Sequence, residues 1–256
     1  MPVAGVDIGG KTTKIIILED HKILAKNLVL TGLETGKTAL TAFQQVLNDA
    51  GLSPDKISKI TVTGVGKKEF SLGHNEVSEV KADAKGTVYL FPSARTVIDV
   101  GAEEGRGVKC SPEGKVVDFA LNEKCAAGSG SFVEAMARAL ELPLEEIGKL
   151  ALISTQQIPM NAQCAVFAES EVVSLLHAKT PKSDIAKAVH NAIANRISSM
   201  TRKIGIEKEV ILIGGMAKNL GFIDSLKKDL GLEILIPEEP EFVGALGAAL
   251  IAQEET

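Results

Sequence analysis

The feature that most narrows what this chain can fold into is a strand-and-turn unit that occurs twice. Met1–Ile8 is short and apolar and runs into Asp7-Ile8-Gly9-Gly10-Lys11-Thr12-Thr13-Lys14. The β-branched run Ile15-Ile16-Ile17-Leu18 follows and reads as a return strand. Thr96–Val100 is a second apolar strand with Asp99 near its end. It leads through Gly101 and Ala102–Arg106 to a return strand at Gly107–Cys110. Asp7 and Asp99 stand 92 positions apart, an offset of domain size rather than of a short solenoid repeat. The pattern predicts two similar α/β halves, residues 1–93 and 94–256, meeting at a crossover near residues 90–96. A third strand and glycine turn is expected at Val210–Ile213 with Gly214 and Gly215.

The remaining pattern alternates strand and helix. Strands are expected at Lys22–Leu30, Ile57–Thr63 and Glu233–Ile236. Helices are expected at Thr38–Gly51, within Val77–Leu90, and at Phe132–Leu142, Leu144–Leu152, Ala165–Ala178, Ser183–Ile204, Phe222–Leu230 and Gly244–Ala252. In the long Ser183–Ile204 helix, Ile185, Val189, Ile193, Ile197 and Met200 form the core face, and His190 and Arg196 are expected to be solvated.

Gly5 to Thr12 fits the phosphate-loop pattern G-x-x-x-x-G-K-[ST], but the context is wrong. A phosphate loop needs a strand before its first glycine and a helix after its Lys-Thr. Here Gly5 lies inside the first strand and a strand follows, so the unit is a hairpin. Such a turn can still wrap phosphates with bare N–H groups, with Lys11 and Lys14, and with the Thr12 and Thr13 hydroxyls beside Gly9 and Gly10. The bland alternative is an ordinary hairpin with surface lysines. Asp7 could hold Mg²⁺ through water. Three glycine turns with Asp7 and Asp99 suggest a nucleotide between the halves. The two hairpin turns, the second at Gly101, would hold its phosphates, and Gly214-Gly215 with the last helix at Gly244 would hold its adenosine. Asp99, Glu103 and Glu104 are then candidates for orienting water.

Two cysteines each open a helix. Cys125 precedes Gly128-Ser129-Gly130, which suit a turn but not a helix interior. Phe132, Met136 and Leu140 then recur at helical spacing. Cys164 follows Asn161-Ala162-Gln163 and precedes the helical run Ala165–Ala178. Free N–H groups and the helix dipole favour negative charge at both positions. The pair reads as metal ligands, as buried thiols or as a disulfide, and spacing alone does not choose. Cys110, on a return strand, reads as structural.

Composition bounds the function class. The 256 residues carry net charge −5, no tryptophan and one tyrosine, and the pI is about 5.5. Nucleic acid is therefore not an expected partner. No apolar run reaches membrane-spanning length and the chain enters a strand at once, so a cytoplasmic protein without membrane partners is expected.

Five segments carry a resemblance: Asp7–Lys14, Asn122–Gly130, Cys164–Glu171, Gly214-Gly215-Met216-Ala217-Lys218-Asn219 and Gly244–Ala249. Together they resemble the BadF/BadG/BcrA/BcrD-type ATPases, which comprise 2-hydroxyacyl-CoA dehydratase activators and benzoyl-CoA reductase ATPase subunits. The resemblance implies an actin/hexokinase/Hsp70-like (ASKHA) fold with two similar halves around a nucleotide cleft. It implies ATP/ADP and Mg²⁺, with Met216 and Asn219 joining the nucleotide site. It implies a 4Fe–4S cluster shared between two subunits through Cys125 and Cys164. The activity implied is ATP hydrolysis coupled to transfer of a low-potential electron into an acyl-CoA reductase or dehydratase component, under anaerobic conditions. The donor would be a ferredoxin or flavodoxin, and the assembly a homodimer or a heterodimer with a related ATPase subunit. Two segments depart from the activator pattern: Gly101-Ala-Glu-Glu104 where activators carry Gly-Gly-Gln-Asp, and Lys81-Ala82-Asp83 where they carry Cys-His-Ala; the Val100–Arg106 run and the Asn122-Glu-Lys-Cys125 start look more like a benzoyl-CoA reductase ATPase subunit. The alternative within the family is a homodimeric activator. From other classes, a small-molecule kinase of this fold or a non-catalytic nucleotide sensor would need neither Cys125 nor Cys164.

Overall fold

The structure, a computed structural model, describes residues 1–122, 128–160 and 164–256. The first part of the chain forms β1 (Val3–Ile8), β2 (Thr12–Glu19), β3 (Lys22–Leu30), α1 (Thr35–Ala50), β4 (Lys59–Thr63), β5 (Asn75–Glu76) and α2 (Glu79–Leu90). Then come β6 (Thr96–Val100), β7 (Gly105–Cys110), β8 (Val116–Asn122), α3 (Gly130–Ala139), α4 (Leu144–Leu152), α5 (Ala165–His177) and α6 (Lys182–Arg202). The chain closes with β9 (Val210–Ile213), α7 (Leu220–Leu230), β10 (Ile234–Leu235) and α8 (Val243–Glu254).

These strands make two five-stranded sheets, ordered β3-β2-β1-β4-β5 and β10-β9-β6-β7-β8. Reading outward from β1 and from β6, the two orders are the same. The hairpin repeat read from Asp7 and Asp99 is thus a repeat of whole sheets. In the first sheet β1 runs antiparallel to β2 and parallel to β4. Because β2 begins at Thr12, no helix follows Lys11, and the phosphate-loop pattern is accidental. The strand β8 has no counterpart among the strands expected from the sequence. Its Val117, Phe119 and Leu121 are exposed, so it lacks the buried apolar face by which most strands are recognised.

Contact density groups the chain into two units. One contains Met1–Val97, Val108–Asp118 and Pro237–Thr256, and the other Ile98–Gly107 and Phe119–Ile236. The grouping is discontinuous in sequence, whereas the sequence pattern places one boundary after residue 93.

In the first unit β1 is covered on both faces, as its near-continuous apolar run requires. Ala4, Val6 and Ile8 join Ile15 and Ile17 against Phe43, Val46 and Leu47 of α1. Each such large side chain contributes about 1.5–3 kcal/mol when fully buried. Val3, Ile16 and Leu18 pack instead on Ala245, Leu246, Ala249 and Leu250 of α8. By the two-residue period, Gly5 and Asp7 share that second face with Val3. A Cβ on Gly5 would stand 2.0 Å from the Ala245 carbonyl oxygen and 2.4 Å from the Ala249 nitrogen. Helix α8 also touches α2 backbone to backbone: a Cβ on Gly247 would lie 1.9 Å from the Ala82 oxygen. Helix α1 ends as expected at Gly51, whose φ of 66° lets its N–H return to Asn48.

The second unit is held by one core. Ile98 and Val100 of β6 and Val210 and Leu212 of β9 meet Phe132, Met136, Ile147, Val172, Ile193 and Phe222 from the surrounding helices. His190 of α6 is part of this interior and fully buried, contrary to the expectation that it is solvated. It lies one residue past Val189, on the turn that α6 packs inward, and its Nδ1 sits 2.6 Å from the Ala186 carbonyl. Burial pushes its pKa down to about 4, although the Ala186 carbonyl and the Asn219 side chain favour the charged form. Arg196 is half-buried and donates from Nε to Asn122 Oδ1 at 2.9 Å.

Gly5→Ala must push backbone against backbone, and is expected to lower stability by about 2–4 kcal/mol in urea unfolding. His190 stays neutral in the folded state while it protonates near pH 6.5 when unfolded. Its stabilising share is therefore complete above pH 6.5 and is lost as pH falls toward 4. His190→Asn is expected to flatten that acid-side decline, which amounts to at most about 3 kcal/mol, in unfolding curves taken between pH 7 and 4.

Candidate active site

In the first unit the site is the turn between β1 and β2. Gly9 N donates to Thr12 O at 3.0 Å, and Thr31 N, just beyond β3, donates to Lys11 O at 2.9 Å. Thr31 Oγ1 also donates to the Gly9 carbonyl at 2.8 Å. Thr13 Oγ1 lies 3.0 Å from Thr31 Oγ1, and because Thr31 has given its proton to Gly9, Thr13 is the donor. Thr13 is fully buried, so its hydroxyl braces the turn from behind. Gly10 and Lys11 are exposed at the tip, and Thr12 is half-buried.

Asp7 lies below this tip. Its Oδ2 is 3.1 Å from Lys14 Nζ, and both side chains are largely covered. Lys14 Nζ would also lie 3.3 Å from a Cβ on Gly9. The start of α8 adds Gly244. A Cβ there would stand 3.3 Å from Asp83 Oδ1 and 3.6 Å from Asp7 Oδ2. Gly244 therefore leaves room where two carboxylates and a helix N-terminus converge. Asp83, on α2 and only 4% exposed, stands out in the sequence only as a departure from the family pattern. The signal that could have found it is an acid one helical turn before the small residues Gly86 and Thr87, which share its face of α2.

In the second unit the turn from β6 to β7 is closed by Gly101 N donating to Glu104 O at 2.9 Å. The first residues of α3 hold it. Gly130 N donates to Gly101 O at 2.9 Å, and Ser131 gives both its N–H (2.8 Å) and its hydroxyl (2.5 Å) to Ala102 O. Asp99 is 7% exposed. Its Oδ2 accepts from Arg106 Nη1, and Arg106 Nη2 donates to Glu104 Oε2 at 2.6 Å. Of the three acids considered for orienting water, Asp99 and Glu104 are thus joined through one guanidinium, while Glu103 is exposed. Arg106 is a site residue that the sequence pattern does not single out.

The third turn lies beside Asp99. Gly214 has φ 82°, and a Cβ on it would be 2.2 Å from Asp99 Oδ1, so only glycine fits on both counts. Gly215 opens a 3₁₀ turn with nothing within 4 Å of its would-be Cβ. Met216 is buried. Asn219 caps α7, its Oδ1 accepting from Phe222 N at 3.0 Å.

Cys164 is the N-cap residue of α5, half-buried and unpaired as a thiol, at the helix-opening position that the sequence predicts. Cys125 lies outside the described residues. Cys110 is buried, and burial pushes its thiol up to about 11, consistent with a structural role.

Two sheets of identical strand order, each with an aspartate at a glycine hairpin, define an actin-like, sugar-kinase-like α/β ATPase fold. The profile of the BadF/BadG/BcrA/BcrD ATPase family matches residues 4–252, and the chain belongs to that family. It is 38% identical over 256 residues to the activator of lactoyl-CoA dehydratase of Anaerotignum propionicum, covering 99% of this chain and 98% of that one. It is 31% identical to one of the subunits of benzoyl-CoA reductase from Thauera aromatica, over 96% of this chain and 91% of that one. Among solved structures, component A of (R)-2-hydroxyglutaryl-CoA dehydratase from Acidaminococcus fermentans superposes with a TM-score of 0.94 at 34% identity, covering 100% and 98% of the two chains. The activator of 2-hydroxyisocaproyl-CoA dehydratase from Clostridium difficile, solved with bound ADPNP, gives 0.92 at 34% identity, covering 100% and 95%. A ROK hexokinase from Thermus thermophilus, at 16% identity and TM-score 0.56 with 100% and 99% covered, shares the fold.

Asn219→Ala is expected to remove the α7 cap and lower stability by about 1 kcal/mol, read as the urea midpoint. Asn219→Asp, which keeps an acceptor, should retain most of it.

Proposed function

We propose that this chain is an ATP-hydrolysing iron–sulfur activator that delivers a low-potential electron to the catalytic component of a 2-hydroxyacyl-CoA dehydratase. The observation that carries the reading is Cys164 at the N-terminus of α5, in a chain collinear with dehydratase activators over its whole length. The 34–38% identity to activators, against 31% to the benzoyl-CoA reductase chain, supports the activator reading, for which a homodimer is the proposed assembly. The Gly101-Ala-Glu-Glu104 run supports the second reading, an ATPase subunit of an ATP-dependent acyl-CoA reductase paired with a related chain.

ATP would meet the two hairpin turns. Backbone N–H groups around Gly9, Gly10 and Gly101, with Lys11, Lys14 and Thr12 at the first turn, would supply donors to phosphate oxygens, while Thr13, expected from the sequence to join them, is buried and braces the turn through Thr31. Asp7 and Asp99, each near the end of an inner strand, would hold Mg²⁺ through its waters. Glu103 is the acid of the second turn with the most solvent access, which suits orienting water. Gly214, Gly215, Met216 and Asn219, with Gly244, are assigned to the nucleotide's remaining contacts.

The chemistry of Cys164 fits a cluster ligand. Cys164 is half-buried beside the free N–H groups of a helix N-terminus, whose dipole suits an anionic cluster, whereas Cys110 is buried on a strand. Among the described residues no three His, Cys, Asp or Glu side chains converge as a metal site. One chain offers two such cysteines, Cys125 and Cys164, so four thiolates would come from two copies or from this chain and a related one. A bound 4Fe–4S cluster supplies one-electron transfer. The electron donor would be a ferredoxin or flavodoxin, and the setting an anaerobic cytoplasm.

Protein purified without oxygen should contain about two iron atoms and two sulfides per chain in a dimer. Cys164→Ser should lose that iron and all electron transfer while still binding ATP. Asp7→Ala should keep the iron and lose ATP turnover by at least about tenfold. Iron-free wild-type protein that resists anaerobic reconstitution would overturn the cluster reading.

A further inference from the structure

The two hairpins share more than an aspartate and a glycine turn. In each, a cation on the return strand stands opposite the aspartate. Lys14 is the ladder partner of Asp7, and its Nζ lies 3.1 Å from Asp7 Oδ2. Arg106 follows Asp99 by the same seven residues, and its Nη1 donates to Asp99 Oδ2. The second pair thus lies at the same offset from the first as Asp99 from Asp7. All four side chains are largely covered, with 10–15% of their surface exposed.

One difference between the hairpins matters. Between Asp7 and Lys14 there is no acid. Between Asp99 and Arg106 there are two, Glu103 and Glu104. A lysine is a point charge that serves one carboxylate, whereas the arginine fork serves two. Arg106 uses that fork, donating from Nη2 to Glu104 Oε2 at 2.6 Å while Nη1 serves Asp99. On the other side of Asp99, Gly214 leaves Oδ1 the room that a side chain would take, since a Cβ there would stand 2.2 Å from it.

We propose that Arg106 is a positioning residue for nucleotide hydrolysis, the counterpart in the second hairpin of Lys14 in the first. Resting on the ATPase reading above, it fixes the Asp99 carboxylate in the one orientation from which Oδ1 can serve hydrated Mg²⁺. It also offsets negative charge in a turn that must accept a polyphosphate. Without it, the turn would keep the carboxylates of Asp99, Glu103 and Glu104 and lose the cation that offsets them. Such pre-orientation spares the site from reorganising when nucleotide and metal arrive.

The test uses the full chain purified without oxygen and measures Mg²⁺-dependent ATP hydrolysis, iron content and thermal melting. Arg106→Gln is expected to lower kcat by at least about tenfold and raise the half-saturating Mg²⁺ concentration several-fold, with iron content unchanged. Arg106→Lys keeps one ion pair with Asp99 and should recover much of the Mg²⁺ dependence, and it serves as the readout should Arg106→Gln fail to fold. If wild type hydrolyses ATP and the folded variants match it in turnover and Mg²⁺ dependence, the positioning role is overturned and the ATPase reading stands. If both variants lose activity only in proportion to lost melting temperature, Arg106 is a structural staple and the proposal also fails. If wild type with Mg²⁺ hydrolyses no ATP, the functional reading falls and takes this inference with it.

Discussion

The close approach of the last helix to the first strand is the contact on which the rest of the first unit depends. Gly5, Gly86 and Gly247 each stand where a Cβ would strike backbone within 2.5 Å. Backbone cannot move aside as a flexible side chain does, so α8 can lie against β1 and α2 only while these positions stay bare. That contact covers the second face of β1, completes its burial, and brings Gly244 beside Asp7 and Asp83. A packing constraint at one end of the chain therefore shapes the site at the other.

The two hairpins show how one device is adapted to different surroundings. Each puts an acid at the end of an inner strand, beside a turn whose donors can face phosphate oxygens. The first turn is braced by a hydroxyl chain, Thr13 to Thr31 to Gly9. The second is braced by the first residues of α3. The bracing differs because the neighbouring elements differ: in the first unit the residue just beyond β3 is Thr31, and in the second α3 runs into the hairpin. The acid-rich second turn carries an arginine where the first carries a lysine.

Burial separates the cysteines by chemistry. Cys110 sits on a covered strand with its sulfur 3.6 Å from the Ala94 carbonyl, where a thiolate would be desolvated. Cys164 sits half-buried at the start of α5, beside the free N–H groups of that helix. The same residue type is inert in one place and a ligand candidate in the other, and the local dielectric and backbone dipoles make the difference.

By itself the sequence determined the repeat of strand, aspartate and glycine turn, the rejection of a phosphate loop, most helices, and the helix-opening position of Cys164. These are legible because hydrophobic period, glycine conformation and helix capping act over a few neighbouring residues. Tertiary structure alone decided the rest. It buried His190 in the α6 core, directed the Thr13 hydroxyl inward to Thr31, brought Asp83 next to Asp7, and linked Asp99 to Glu104 through Arg106. It also formed β8, whose exposed apolar residues carry no inward face to read. Each depends on which distant segment packs alongside, and that is set by the folding of the whole chain rather than by its local pattern.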